Sequence, residues 1–178
     1  SMYNGRIEEL GHVVAIEDDR LTVRLPGAAG QLEPGAGVAI HGVGLTTERR
    51  DGDVIGVRLS PETRKRTVLD VLRQGDAVHV ERPLAWGGRI DGHLMQGNVD
   101  AIGKVVQVRE DGETRRVTIR PQEKALARIT AKGPVAVNGV SLTVAEVVRD
   151  RFTVSLVPAT LERTTLGLSL IHISEPTR

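Results

Sequence analysis

The chain has 178 residues, with 24 basic and 23 acidic side chains for a net charge of +1, and no cysteine. That balance excludes a dominantly basic surface for nucleic acid, and the missing cysteines exclude disulfides and thiol chemistry. No apolar run reaches the length of a membrane span and no signal-peptide pattern opens the chain, so a cytoplasmic protein without nucleic-acid or membrane partners is expected. Tyr3, Trp86 and Phe152 are the only aromatic residues, which leaves the core to Val, Leu and Ile.

In chain order, Ser1 ahead of Met2 reads as a remnant of tag removal. A loosely alternating stretch follows at residues 5–16, and then RLTVRL (residues 20–25), where Leu21, Val23 and Leu25 share one face and predict a strand. Residues 26–32 read as a loop or one short helical turn. Strands are predicted at 38–40, 45–49 and 54–59, separated by Gly-rich turns. Ser60 with Pro61 behind it reads as the cap and first position of a short helix. A further strand is expected at 77–81, and residues 83–92 form a junction. The order then replays, with strands at 105–108, 116–119, 135–137, 142–148 and 152–156 and a short helix at 121–129.

The replay is visible in the letters. GAGVAIHGVGLTT (residues 35–47) is answered by GPVAVNGVSLTV (133–144), so that Gly42, Leu45 and Thr46 match Gly139, Leu142 and Thr143 at an offset of 97. LSPETRKRTVL (59–69) matches VPATLERTTL (157–166) at the same offset, and GRIEELGHVVAI (5–16) matches GNVDAIGKVVQV (97–108) at 92. Three collinear matches mark a duplicated unit. The five-residue difference between offsets is assigned to a loop. Many short strands, Gly-rich turns and little helix predict an all-β fold with one small barrel per copy, residues 1–86 and 87–167, closed so that short edges are not left bare.

Several of these stretches resemble the riboflavin synthase alpha-chain family of lumazine-binding proteins. The opening Met2-Tyr3-Asn4-Gly5 stands where the family has MFTG, and GVGLT stands where it has GVCLT. SPETRKRT, GHLMQGNVD, AVNGVSLTV and VPATLERTTLG are close to family form, so the resemblance spans residues 2–167. It implies tandem six-stranded Greek-key barrels followed by a helix around which a trimer assembles. It also implies dismutation of two molecules of 6,7-dimethyl-8-ribityllumazine to riboflavin and a pyrimidinedione. Each site would lie between the N-terminal barrel of one subunit and the C-terminal barrel of another. No cofactor or metal is required, and lumazine, riboflavin or FMN is the implied ligand.

Carried over position by position, the resemblance implies ligand contacts at Met2, Tyr3, Asn4 and Gly5, at Thr46, and at Ser60, Glu62, Thr63 and Thr67. In the later motifs it implies Gln96 and Gly97, then Lys132, Asn138, Ser141 and Thr143, and finally Pro158, Thr160 and Thr164. Ser141 and Thr143 alternate around Leu142, so both hydroxyls point the same way from a strand. His93, Gly44 and Asn98 occupy the positions tied to catalysis. Here the chain departs from the family: Gly44 replaces its cysteine, Gly37 a serine and Asn98 its second histidine, while His93 is kept. An amide cannot move a proton as imidazole does near neutral pH.

The last eleven residues, LSLIHISEPTR (168–178), resemble the translation of a sequencing adapter and suggest a metagenomic gene read that ends with its assembled DNA. The family's closing strand and helix are therefore not expected, and the second barrel is expected to be incomplete unless the tail or another chain substitutes. A homodimer or homotrimer remains open. Three functions are compatible with these residues: a riboflavin synthase-like protein, a non-catalytic lumazine or flavin binder, and an enzyme turned to another polycyclic substrate.

Overall fold

The computed structural model describes residues 1–167 and 172–175. In the first half, β1 (Glu9–Glu17), β2 (Arg20–Arg24), β3 (Gly37–Ile40), β4 (Val43–Asp51), β5 (Val54–Arg58) and β6 (Ala77–Glu81) close into a barrel of order β1-β2-β5-β4-β3-β6. Every neighbouring pair is antiparallel. Alternation places Leu21 and Val23, Val38 and Ile40, Ile55 and Val57, and Val78 and Val80 in one fully buried core. The short helix α1 (Pro61–Arg66) starts as its sequence predicts: Ser60 Oγ accepts the Thr63 N–H at 3.1 Å, and Pro61 takes the first position.

The second half repeats the plan with β7 (Ala101–Asp111), β8 (Thr114–Pro121), β9 (Pro134–Val137), β10 (Val140–Val148), β11 (Arg151–Leu156), α2 (Pro158–Arg163) and β12 (His172–Glu175). Its order, β12-β7-β8-β11-β10-β9, is that of the first barrel. Phe152, Leu156, Ile119 and Val135 are among the residues that fill its core. Even the irregularities repeat. The β1–β2 ladder shifts register between Val13 and Ala15, and the β7–β8 ladder between Val105 and Gln107, at the same offset of 92. Bulges held in register through a duplication are designed bends rather than defects.

One expectation changes, and one alternative left open is answered. The five extra residues of the second copy are not in a loop: β7 and β8 run to 11 and 8 residues where β1 and β2 have 9 and 5, so a hairpin has lengthened. A hairpin grows by adding ladder bonds without disturbing the core. Part of the adapter-like tail also enters the sheet. His172–Glu175 pairs with Lys104, Gly103, Ile102 and Ala101, the four positions whose counterparts in β1 pair with β6. A bare strand edge offers main-chain donors and acceptors to any extended segment, with little demand on its side chains. Among the described residues no β9–β12 ladder closes the second sheet. Residues 168–171 and 176–178 of the tail lie outside the described residues.

The halves meet about a local two-fold relation. Tyr3 and Met95, counterparts at 92, exchange N–H···O bonds of 2.8 and 2.9 Å. Together with Ala39 and Ala136 they form a small buried cluster. Gly42 and Gly139 sit back to back: a Cβ on Gly42 would lie 2.6 Å from Gly139 Cα, and both have φ near +80°. Only glycine meets both demands. His79 of β6 ties the halves once more, donating from Nδ1 to Asn138 O at 2.7 Å and accepting the Thr165 N–H at Nε2 at 2.9 Å.

Candidate functional site

Each half carries a cavity beside the turn that follows its fifth strand. The C-terminal cavity, about 320 Å³, is lined by Val140 and Ser141 of β10 and by Ala159, Thr160, Arg163 and Thr164. The N-terminal cavity, about 240 Å³, is lined by Val43 and Gly44 of β4 and by Glu62, Thr63, Arg66 and Thr67. All six positions correspond at an offset of 97. The turns themselves match. Thr67 Oγ1 donates to Thr63 O and Thr164 Oγ1 to Thr160 O, both at 2.7 Å, and each hydroxyl accepts a backbone N–H two residues on at 3.2 Å. Those two threonine hydroxyls are occupied in shaping the turn.

Apart from Asp91 and Gly92 of the junction, which also line the C-terminal cavity, the remaining wall of each cavity comes from the other half. Gly5, Arg6 and Ile7, ahead of the first barrel, line the C-terminal cavity, and Gly97, Asn98 and Val99, ahead of the second sheet, line the N-terminal one. The exchange is fixed by twin bonds, Ser141 N–H to Gly5 O at 2.9 Å and Gly44 N–H to Gly97 O at 2.8 Å. Gly5 and Gly97 have φ of +78° and +83°, and a Cβ on Gly5 would lie 2.6 Å from Ser141 Cβ. A side chain at either position would push the crossing segment away from the strand it is bonded to.

The cavities differ in their polar groups. In the C-terminal one, Ser141 Oγ lies 2.7 Å from Nδ1 of half-buried His93. His93 Nε2 is buried without a hydrogen-bond partner among the described residues. Burial lowers the His93 pKa, so its imidazole is neutral near pH 7. The N-terminal cavity has glycine in place of Ser141.

Of the residues suggested by sequence, the structure gathers Gly5, Ser141, Thr160 and Thr164 at one cavity, with His93 bonded to Ser141, and Gly44, Glu62, Thr63, Thr67, Gly97 and Asn98 at the other. Thr46 and Thr143 are exposed on β4 and β10, opposite Gly37 and Pro134. Lys132 has φ of +67° in the turn before β9, and its N–H bonds Val144 O. Asn138 is buried in the β9–β10 turn. Ser60 caps α1, Pro158 begins α2, and Gln96 is exposed between Met95 and Gly97. Met2 is half-exposed, and its carbonyl accepts the Leu84 N–H. Tyr3 is buried beneath Gly37, and burial pushes its phenol up to about 12.

Asn4 lines a third cavity of about 600 Å³ with Arg6, Glu8, Gly37, Glu81 and Arg82. Glu81 there accepts the Asn4 and Gly5 N–H groups at 2.7 and 3.1 Å. Its carboxyl is pushed up to about 7, chiefly by burial, against the pull of those two donors.

Reading by motif missed Arg66 and Arg163, although the offset of 97 pairs them in plain letters. It also missed Arg6, Asp91 and Glu81, because nothing local shows that the opening segment crosses to the other half.

The lumazine binding domain family matches residues 4–83 and again residues 96–171. The chain belongs to that family. Riboflavin synthase of Escherichia coli (strain K12) is 38% identical over 157 residues, covering 88% of this chain and 70% of that one. Riboflavin synthase of Mycobacterium bovis is 36% identical over 179 residues, covering 96% and 89%. Among solved structures, LumP complexed with riboflavin superposes with a TM-score of 0.91 at 20% identity over 99% of each chain. LumP complexed with 6,7-dimethyl-8-(1'-D-ribityl) lumazine gives 0.88 at 21%. At these identities the two complexes establish the shared fold. With the two family matches, they establish an all-β chain of tandem lumazine-binding repeats.

Proposed function

We propose that this chain is a riboflavin synthase-like protein, divided at residues 86 and 87, that binds 6,7-dimethyl-8-ribityllumazine or a flavin in both twin cavities. The observation that carries the reading is the reciprocal wall. Each cavity is completed by the other half's leading segment, so two equivalent ligand seats are built into one chain. In the C-terminal seat the Ser141 hydroxyl and the Thr160 side chain face the polar edge of the ring. His93, neutral and joined to Ser141, is an imidazole through which a proton can be taken from or returned to that hydroxyl. The family dismutation removes a methyl proton from one lumazine and activates the other as acceptor. Holding two rings in opposed seats, contributed by two chains of a homodimer or homotrimer, supplies much of the rate by orientation alone.

A second reading, a binder without turnover, is favoured by Gly44, Gly37 and Asn98. The N-terminal seat offers neither a nucleophile nor a proton carrier among these residues. Incubation with the lumazine, following ligand fluorescence and riboflavin formation together, separates the two. Riboflavin formation removes the binder reading, saturable binding without riboflavin removes the synthase reading, and no binding removes both.

A further inference from the structure

The two cavities are copies, and the copies differ in charge. In the N-terminal cavity Arg66 pairs with Glu62 at 3.4 Å, one helical turn before it. In the C-terminal cavity Arg163 holds the place of Arg66, and Ala159 holds the place of Glu62. Arg163 therefore lines its cavity without the carboxylate that neutralises its twin, and it makes no ion pair among the described residues. Glu162, its neighbour in sequence, leaves the helix in a different direction. The crossing segment sharpens the contrast, because Arg6 enters the C-terminal cavity where neutral Asn98 enters the other. Arg6 bonds Asp91 at 2.7 Å, and that same carboxylate lies 3.5 Å from Arg89. Two guanidinium groups thus line the C-terminal cavity against one carboxylate that a third arginine shares. In the N-terminal cavity Arg66 and Glu62 balance.

On the reading that these cavities seat a ribityl-bearing ring, we propose that the C-terminal cavity takes the form whose ribityl chain ends in a phosphomonoester, with Arg163 and Arg6 receiving the phosphate. The N-terminal cavity takes the uncharged ribityl form. A phosphate at neutral pH carries between one and two negative charges and presents several acceptor oxygens, which suits two forked guanidinium groups better than a chain ending in a hydroxyl. The ribityl chain ends in a primary hydroxyl, the group such an ester is built on. Glu62 repels the phosphate from the N-terminal cavity.

Fluorescence titration of the full chain with FMN and with riboflavin tests this. FMN binds about tenfold more tightly than riboflavin at low salt, and the advantage shrinks as salt screens the exposed Arg163. FMN fills one site per chain and riboflavin two. Ala159→Glu, which installs the absent carboxylate, and Arg163→Gln each bring the FMN-to-riboflavin ratio to about one. Riboflavin binding with no FMN preference in the wild type overturns the phosphate assignment and leaves the seats standing, as does a preference that survives both substitutions. Failure of both ligands to bind overturns the seats themselves.

Discussion

The N-terminal cavity around Gly44 and the C-terminal cavity around Ser141 share strand order, bulges, crossing segments, two threonines and one arginine, yet they differ in the other polar groups that would meet a ligand. Where backbone meets backbone the copies stay alike: Gly42 faces Gly139, and Gly5 and Gly97 hold the same left-handed conformation. Where side chains face the cavity they part, Ser141 against Gly44, Arg6 against Asn98 and Ala159 against Glu62. The fold constrains the positions at the junction of the halves, while the cavity walls change without disturbing it.

The shared part of the comparison breaks most severely at that junction. Gly42→Ala, which adds a side chain 2.6 Å from Gly139 Cα at positive φ, is expected to destabilise the protein by about 3 kcal/mol or more. Gly139→Ala, with its Cβ 2.8 Å from Gly42 Cα, is expected to cost a similar amount. Because both substitutions crowd one contact, the double variant should cost less than the sum in urea denaturation. A loss below about 0.5 kcal/mol in either single variant, the range of ordinary surface changes, would mean the halves are not held back to back.

Next in size is a pH effect with opposite signs at two residues on the same face of β6, His79 and Glu81. His79 is buried neutral between Asn138 O and the Thr165 N–H, and burial lowers its pKa to about 4. The unfolded chain therefore takes up a proton first on acidification. The stability tied to neutral His79 is full above about 6.5 and is lost as pH falls towards 4, on the order of 3 kcal/mol. His41, packed edge-on against it, is lowered in the same direction by burial. Glu81 acts the other way. Its carboxyl is raised to about 7, so its contribution is full below about 4.5 and is lost as pH rises through 7. Glu81→Gln should therefore steepen the acid loss seen in denaturation midpoints between pH 6.5 and 4.5. An unchanged slope would mean Glu81 titrates normally.

The smallest effects sharpen the difference between the cavities. Ser141→Ala removes the His93 bond and should cost about 1 kcal/mol of stability, together with a several-fold loss of lumazine or flavin affinity by titration. The reverse swap, Gly44→Ser, is sterically easy, since its Cβ meets Gly97 Cα at 3.4 Å. It should change stability by no more than about 0.5 kcal/mol and raise the affinity of the N-terminal cavity. Equal responses from the twins would erase the asymmetry.

Much of this architecture is legible in the letters because it rests on local signals. Leu21 and Val23 alternate, Ser60-Pro61 starts a helix, and the motifs around Gly42 and Gly139 repeat. Main-chain pairing leaves no such trace. Nothing in HISE announces a strand, because the β7 edge demands only extended backbone. The crossing of residues 5–7 and 97–99 was hidden for a similar reason: each segment's partner is set by a hydrogen bond to a strand more than 50 residues away. His79 was missed because its role depends on Asn138 and Thr165, which no spacing links to it.

The crossing segments also bear on what one repeat could be by itself. A single half cut from this chain would keep its strands but carry its leading segment as an unpaired arm, and its own cavity would lack a wall. Two such halves could repair each other only by trading arms about a two-fold axis, the geometry of a domain-swapped dimer. Joining them in one polypeptide replaces an encounter that depends on protein concentration with a tethered one at high effective concentration. It also frees the two cavities from having to be identical, which no symmetric dimer of one gene product can do.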